Sequence, residues 1–424
     1  MQTPRLLRIL ALPALAAIAT ISACGVGPNL SGHLEATAVG DLGNPPAERR
    51  DGRLEITQPC AAPAPSSTTP AATPVSFSRA PYLQRVTDGS ADLSWVSGAD
   101  LDLSVAVSAT DGAAVTNPLA TRDASAVLDA GSSQWLAPLR PLAANTIYCY
   151  DVTGGGTTSE RLGFRTAPAP GTGTTVRFIA FGDSGGGGSD QTALRDQMAT
   201  VPFDFIIHTG DIAYENGTRA ELEHNFFAPY ADYLKFFPVF PASGNHEYGS
   251  PDAAPFREAF VLPENGGPEG IERWYSFDWG DVHFVALDTE RTGPVQAAWL
   301  DADLTATQRR WTIVYGHRPP FSSGEHGNDG AFQAHFVPVL EKHAVPLVLN
   351  GHDHDYERTT PQNSVTYVVT GGGGVGVRPV GSSSFTAFSN AVVHFVYVTV
   401  SGNELALHAI DGVGQEFDSL LIRR

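Results

Sequence analysis

The sequence predicts an all-β sandwich followed by a larger α/β domain, and two patterns predict it. Between Phe77 and Thr166, short runs such as Ala91 to Val96 and Leu101 to Val107 alternate apolar and polar residues and are broken by Asp-Gly and Gly-Ser turns, the spacing of a sandwich. From Val176 onward, apolar runs of four to six residues end in Gly-Asp, Gly-Asn or Gly-His. Helical stretches lie between some of them (Gln191–Val201, Pro294–Leu304, Ala331–His343), and polar residues at strand C-termini place a site along that sheet edge. Val392–Val400 and Glu404–Ile410 read as antiparallel strands that finish the sheet.

In chain order the first element is residues 1–23. A basic start (Arg5, Arg8), the apolar stretch Ile9 to Ile21 and the small pair Ser22-Ala23 read as a secretory signal peptide. That stretch is shorter than the roughly 20 residues of a spanning helix. Ile21-Ser22-Ala23-Cys24 resembles the lipobox of bacterial lipoproteins and implies lipid on Cys24, the only expected membrane contact. The implied location is the bacterial cell envelope, as a periplasmic or outer-membrane lipoprotein, or outside the cell. Residues 24–76 are a Pro/Ser/Thr/Ala-rich tether. With Cys24 lipidated, Cys60 and Cys149 remain, and an oxidising compartment predicts a disulfide between them. The sandwich then covers 77–167 and the α/β domain 168–424.

Composition excludes several functions. The 424 residues carry 26 Lys+Arg against 45 Asp+Glu, a formal charge of −19, so a phosphate-backbone grip built on clustered cations is not expected. Three cysteines cannot make a disulfide-dense scaffold or a four-thiolate zinc site.

The chemistry lies in five motifs: Gly182-Asp183-Ser184-Gly185, Gly210-Asp211-Ile212-Ala213-Tyr214, Gly244-Asn245-His246-Glu247, Val314-Tyr315-Gly316-His317 and Gly351-His352-Asp353-His354. Their oxygen and imidazole donors suit divalent and trivalent first-row metals, and seven ligands suit two ions that share one. Any one motif alone would read as a turn or a core histidine. Two other readings fail on chemistry. Gly185–Gly188 is no phosphate loop, because no Lys is near. Gly182-Asp183-Ser184-Gly185-Gly186 fits a nucleophile elbow formally, yet more glycines follow where an elbow would enter a helix.

On these residues the chain resembles the metallophosphoesterases, and within them the purple acid phosphatases. The likeness extends to Phe260–Gly266, Arg273–Gly280, His283-Phe284, Trp299-Leu300, Gly371–Gly374 and an N-terminal domain opening at Arg79–Leu83, over about 77–424. Leu139–Pro141 and Asn145–Val152 look like the tyrosine-corner region of fibronectin type III domains, with Trp95 in their core. The resemblance implies an α/β (α+β) sandwich of two mixed sheets flanked by helices, behind a fibronectin III-like β-sandwich. It further implies that Asp183, Tyr214 and His354 bind Fe(III), that Asn245, His317 and His352 bind a divalent metal (Zn, Fe or Mn), and that Asp211 bridges. Tyr214 replaces the His of the usual Asp-x-His, where Gly185 stands here, and a phenolate favours a trivalent ion. The implied function is an acid phosphatase in which two ions activate a water against small-molecule phosphomonoesters. His246 and His326 take the acid or substrate-binding roles. The second His that the family often places beside His326 is missing, because Glu325 and Gly327 flank it. A phosphodiesterase or nucleotide hydrolase on the same centre is the alternative, and a surface binding protein with an inert metal domain is the reading from another class. His208 falls on the opposite strand face from Asp211, and the remaining histidines read as core or surface.

Overall fold

The computed structural model describes residues 35–37, 51–60, 75–98, 103–123, 126, 128, 131–154 and 157–424. The expected leader 1–23, Cys24 and most of the tether lie outside the described residues.

The N-terminal region is all β. One antiparallel sheet runs Arg79–Gln84, Ala91–Gly98, Ser132–Leu139 and Thr121–Arg122; the other runs Leu162–Arg165, Ile147–Gly154, Leu103–Ala109 and Ala114–Thr116. Alternation sorts each strand into an inner and an outer face. Leu103, Val105 and Val107 point inward and are buried, with Ser104 and Ala106 half-exposed between them. Trp95 is fully buried opposite Trp135. The Tyr148 hydroxyl accepts from the Ala143 N–H at 2.8 Å, closing a corner five residues upstream. The short helix Gly52–Cys60 is fastened to the strand Ile147–Gly154 by the Cys60–Cys149 disulfide, with Cα atoms 5.4 Å apart.

The C-terminal part has two mixed seven-stranded sheets face to face. In the first, Val176–Phe181, Phe205–His208 and Val239–Pro241 run parallel, His394–Ser401, Glu404–Asp411 and Glu416–Arg423 follow antiparallel, and Glu35–Thr37 from the N-terminal segment pairs antiparallel with Glu416–Arg423 as the seventh strand. The second carries the parallel set Val282–Ala286, Trp311–Tyr315, Leu347–Asn350 and Thr366–Thr370. These central strands are covered on both faces, so they read as continuous apolar runs without alternation. An aromatic layer joins the sheets: Phe178 meets Phe284 at 5.4 Å, Phe205 meets Trp279 at 4.7 Å, and Phe240 stacks on Phe277 at 3.7 Å.

The expected helices form over Ser189–Met198 and Pro294–Ala306. The third is two helices, Gly330–His335 and Val337–Lys342. Pro338 breaks the stretch, because it has no N–H to donate and its ring clashes with the preceding turn. The β-rich region is docked by side chains reaching backbone carbonyls: Tyr82 to Ala259 (2.6 Å), Gln134 to Glu258 (2.7 Å) and Tyr150 to Lys235 (2.7 Å).

Candidate metal centre

The C-terminal ends of the parallel strands deliver the expected residues to one place. Asp183 follows Phe181, Asp211 follows His208, Asn245 follows Pro241, His317 follows Tyr315, and His352 follows Asn350. Three of them, Asp183 (φ 59°), Asp211 (φ 55°) and His352 (φ 72°), turn out of their strands through the left-handed region, which costs energy for any residue with a Cβ. Surrounding contacts hold that conformation. The fully buried Glu247 carboxylate accepts four N–H groups, those of Asp211 (2.9 Å), Ile212 (2.8 Å), Ala213 (3.1 Å) and Gly244 (2.8 Å). Burial, then the charge of Asp211, push that carboxyl up to about 7. Asp183 in turn accepts the His352 N–H at 2.9 Å. Gly185 has no room for a side chain, since a Cβ there would lie 1.8 Å from the Ile212 carbonyl oxygen. A histidine two residues after Asp183 is therefore sterically closed in this loop.

The side chains form two groups that share Asp211. In one, the Tyr214 hydroxyl lies 3.0 Å from Asp183 Oδ1, 3.1 Å from Asp211 Oδ2 and 3.2 Å from His354 Nε2. In the other, His317 Nε2 lies 3.1 Å from Asp211 Oδ2, 3.1 Å from Asn245 Oδ1 and 3.2 Å from His352 Nδ1. Asp211, His317 and His352 also present ligand atoms within 4.8 Å of one another.

Tautomers show that this set suits cations. His317 Nδ1 faces the Thr209 carbonyl at 3.0 Å and His354 Nδ1 faces the Gly376 carbonyl at 3.0 Å. A carbonyl only accepts, so each Nδ1 carries the proton and each Nε2 turns a lone pair on neighbours that are themselves mostly acceptors. The excess of lone pairs calls for positive charge. Without a metal a proton must supply it: burial opposes, but Asp211 and Asp183 push the His317 imidazole up to about 10. Tyr214 fits the same picture, since burial and then Asp183 and Asp211 hold its phenol well above the ordinary value. Only a strongly polarising ion would take its proton at neutral pH.

His246 sits above Tyr214, ring centroids 4.0 Å apart, and its Nδ1 donates to the Glu215 carbonyl at 2.7 Å. His326 is exposed and stacks on His352 at 4.2 Å. His208 takes no part. The Gly210 N–H donates to its Nδ1 at 3.2 Å, so Nε2 is the protonated atom and donates to Ser184 Oγ at 2.8 Å. That ring cannot serve Ser184 as a base, and both residues are fully buried, which removes the elbow reading.

The sequence reading left three contributors without a role. Glu247 ends a motif already singled out, but its four backbone bonds join loops distant in the chain. Arg318 donates to His352 Nε2 at 3.0 Å while gripping Glu290, and Arg378 donates to His326 Nε2 at 2.6 Å. Proximity of Arg318 to His317 in sequence was the sole signal for the first; none existed for Arg378.

With this geometry in view, residues 176–356 match the calcineurin-like phosphoesterase family, and the chain carries a domain of that family. The fold within it is that of purple acid phosphatase: the enzyme PPD1 of yellow lupin (Lupinus luteus) superposes with a TM-score of 0.72 at 22% identity, covering 82% of this chain and 75% of that one. Among curated sequences, probable inactive purple acid phosphatase 27 of Arabidopsis thaliana is 29% identical over 270 residues, 53% of this chain and 44% of its own length. A nucleotide pyrophosphatase/phosphodiesterase of Hordeum vulgare is 26% identical over 333 residues, 62% of this chain and 86% of its own. The chain spans about half the length of the first curated relatives it matches.

Proposed function

We propose that this protein is an exported acid phosphatase, anchored by lipid on Cys24, that hydrolyses phosphomonoesters at a binuclear Fe(III)–M(II) centre. The observation that carries the reading is Asp211 Oδ2, which stands 3.1 Å from both the Tyr214 hydroxyl and His317 Nε2, between one donor group that suits a ferric ion and one that suits a divalent ion. Asp183, Tyr214 and His354 would hold the first ion, Asn245, His317 and His352 the second, with Asp211 shared. When bound, such a pair supplies Lewis acidity that activates a water and neutralises charge on the phosphoryl oxygens. The chain's own residues orient and protonate. Glu247 keeps Asp211 in register, and His246, fixed through Nδ1, turns Nε2 toward the phosphoryl group and as the imidazolium protonates a departing alcohol. His326 contributes a further substrate contact. Among the described residues no helix is long and apolar enough to cross a membrane.

A phosphodiesterase or nucleotide hydrolase is the second reading, favoured by the barley relative. Purified full-length protein should contain one iron and one divalent ion per chain and turn over para-nitrophenyl phosphate faster than its bis ester. Faster diester turnover rejects the monoesterase. A metal-replete protein that hydrolyses neither is an inert binding protein; the Arabidopsis relative is named probable inactive.

A further inference from the structure

We infer that a cavity of about 490 Å³ at the start of helix Pro294–Ala306 is a second ligand site, which takes a small organic phosphate by its phosphoryl end. None of the seven candidate metal donors lines it, so it stands or falls apart from the phosphatase reading.

Three arginines from three segments line the cavity: Arg257 from the helix Ala254–Ala259, Arg273 ahead of the strand Tyr275–Trp279, and Arg291 from the turn Thr289–Arg291. One carboxylate holds all three. Asp252, in the left-handed region (φ 58°), accepts Arg257 Nη1 at 2.8 Å and Arg273 Nη2 at 2.6 Å on Oδ2, and Arg291 Nη2 at 2.5 Å on Oδ1. Arg273, the most enclosed of the three, also donates to the Tyr248 hydroxyl at 2.9 Å, and Arg291 lies over the Tyr248 ring. Arg257 Nε is buried and meets no acceptor. Guanidiniums stay protonated, so three like charges repel one another around a single counter-ion. Glu269 is the one carboxylate on the lining, and burial pushes the neighbouring Glu272 carboxyl up to about 7, so positive charge prevails in the cavity.

The lining sets the ligand class. A phosphoryl end offers three terminal oxygens in a tetrahedral array, which match donors arriving from three segments better than the two in-plane oxygens of a carboxylate. Its charge also meets the start of a thirteen-residue helix whose N-cap, Gly293, has no side chain to satisfy the first N–H groups. Ile271 and Val295, 42% and 52% exposed, leave apolar surface on the same lining. The ligand therefore carries an apolar body beside its phosphate.

Phenylphosphonate, whose P–C bond resists hydrolysis, is the probe for calorimetric titration of the full-length, metal-loaded protein. Two binding events are expected, one at the metal centre and one in the cavity. Arg257→Gln and Arg291→Gln should each weaken the cavity event about tenfold, the loss of one charge-assisted pair, and leave the other event unchanged. Val295→Asp is the control for folding. A carboxylate in the first turn suits the helix dipole, so the fold persists, while its charge repels the ligand and should abolish the cavity event. After a chelator strips the metal, the cavity event alone should remain. A single event that disappears with the metal overturns the inference, as do cavity variants that bind like wild type. Benzoate bound as tightly as phenylphosphonate overturns the phosphoryl assignment. A cavity event with none at the metal centre counts against the phosphatase and leaves the second site standing.

Discussion

Tyr214 is the residue on which the chemistry of the centre turns. Its hydroxyl touches Asp183, Asp211 and His354, and burial with two carboxylates nearby opposes its ionisation. A phenolate there requires a hard trivalent ion, and phenolate-to-iron charge transfer would colour the protein. Tyr214→Phe should therefore bleach a purple or pink preparation and lower its iron content, while the fold, read by circular dichroism, persists. An iron-replete wild type without colour removes Tyr214 from the ligands. At this scale the sequence was legible wherever a donor sits at a strand end, because Asp183, Asp211, Asn245, His317 and His352 each follow an apolar run by a few residues. It was silent on Glu247, whose function depends on four N–H groups that only the folded loops bring together.

Among elements, the second sheet and its covering helix are joined by a histidine clamp. His283, nearly buried, lies 2.7 Å from Asp278 on the neighbouring strand and 2.8 Å from Asp303 on the helix Pro294–Ala306. Burial pulls its pKa down, but the two aspartates outweigh that and hold it up at about 9. The folded value exceeds the unfolded one, near 6.5, so the stabilisation is complete below that pH and disappears as pH rises through about 9. Chemical denaturation of wild type and His283→Gln should show the largest difference at pH 6 and converge toward pH 10; a constant difference would assign the clamp to packing alone. From sequence His283 was an ordinary core or surface histidine, since Asp303 stands twenty residues away on another element. The split at Pro338 was within reach of sequence reasoning, because proline there contradicts a continuous helix.

For the whole molecule, the β-rich region meets the α/β part through carbonyl-directed side chains, and one covalent staple fastens helix Gly52–Cys60 within the β-rich region. Cys60 and Cys149 are 89 residues apart, so the bridge removes much of the unfolded chain's freedom. Replacing both by Ser should lower unfolding free energy by about 2–4 kcal/mol in denaturant titrations. It should leave turnover near wild type, because the bridge lies in the β-rich region. Unchanged stability would show that helix Gly52–Cys60 stays docked by packing alone. The charge of −19 is that of the whole chain, and some of its carboxylates, Asp183, Asp211 and Glu247 among them, are buried at the candidate metal centre.

The sequence by itself determined the order of the two parts, the strands and the residues at their ends, because alternation, apolar runs and Gly-Asp or Gly-His turns are local patterns. Tertiary structure alone decided which of those residues meet. Asp183 receives the His352 N–H across 169 residues, Gly185 proves too crowded to be histidine, and Arg378 finds His326 across 52. Such contacts depend on how two packed sheets aim their loops, and no pattern of neighbouring residues encodes that aim.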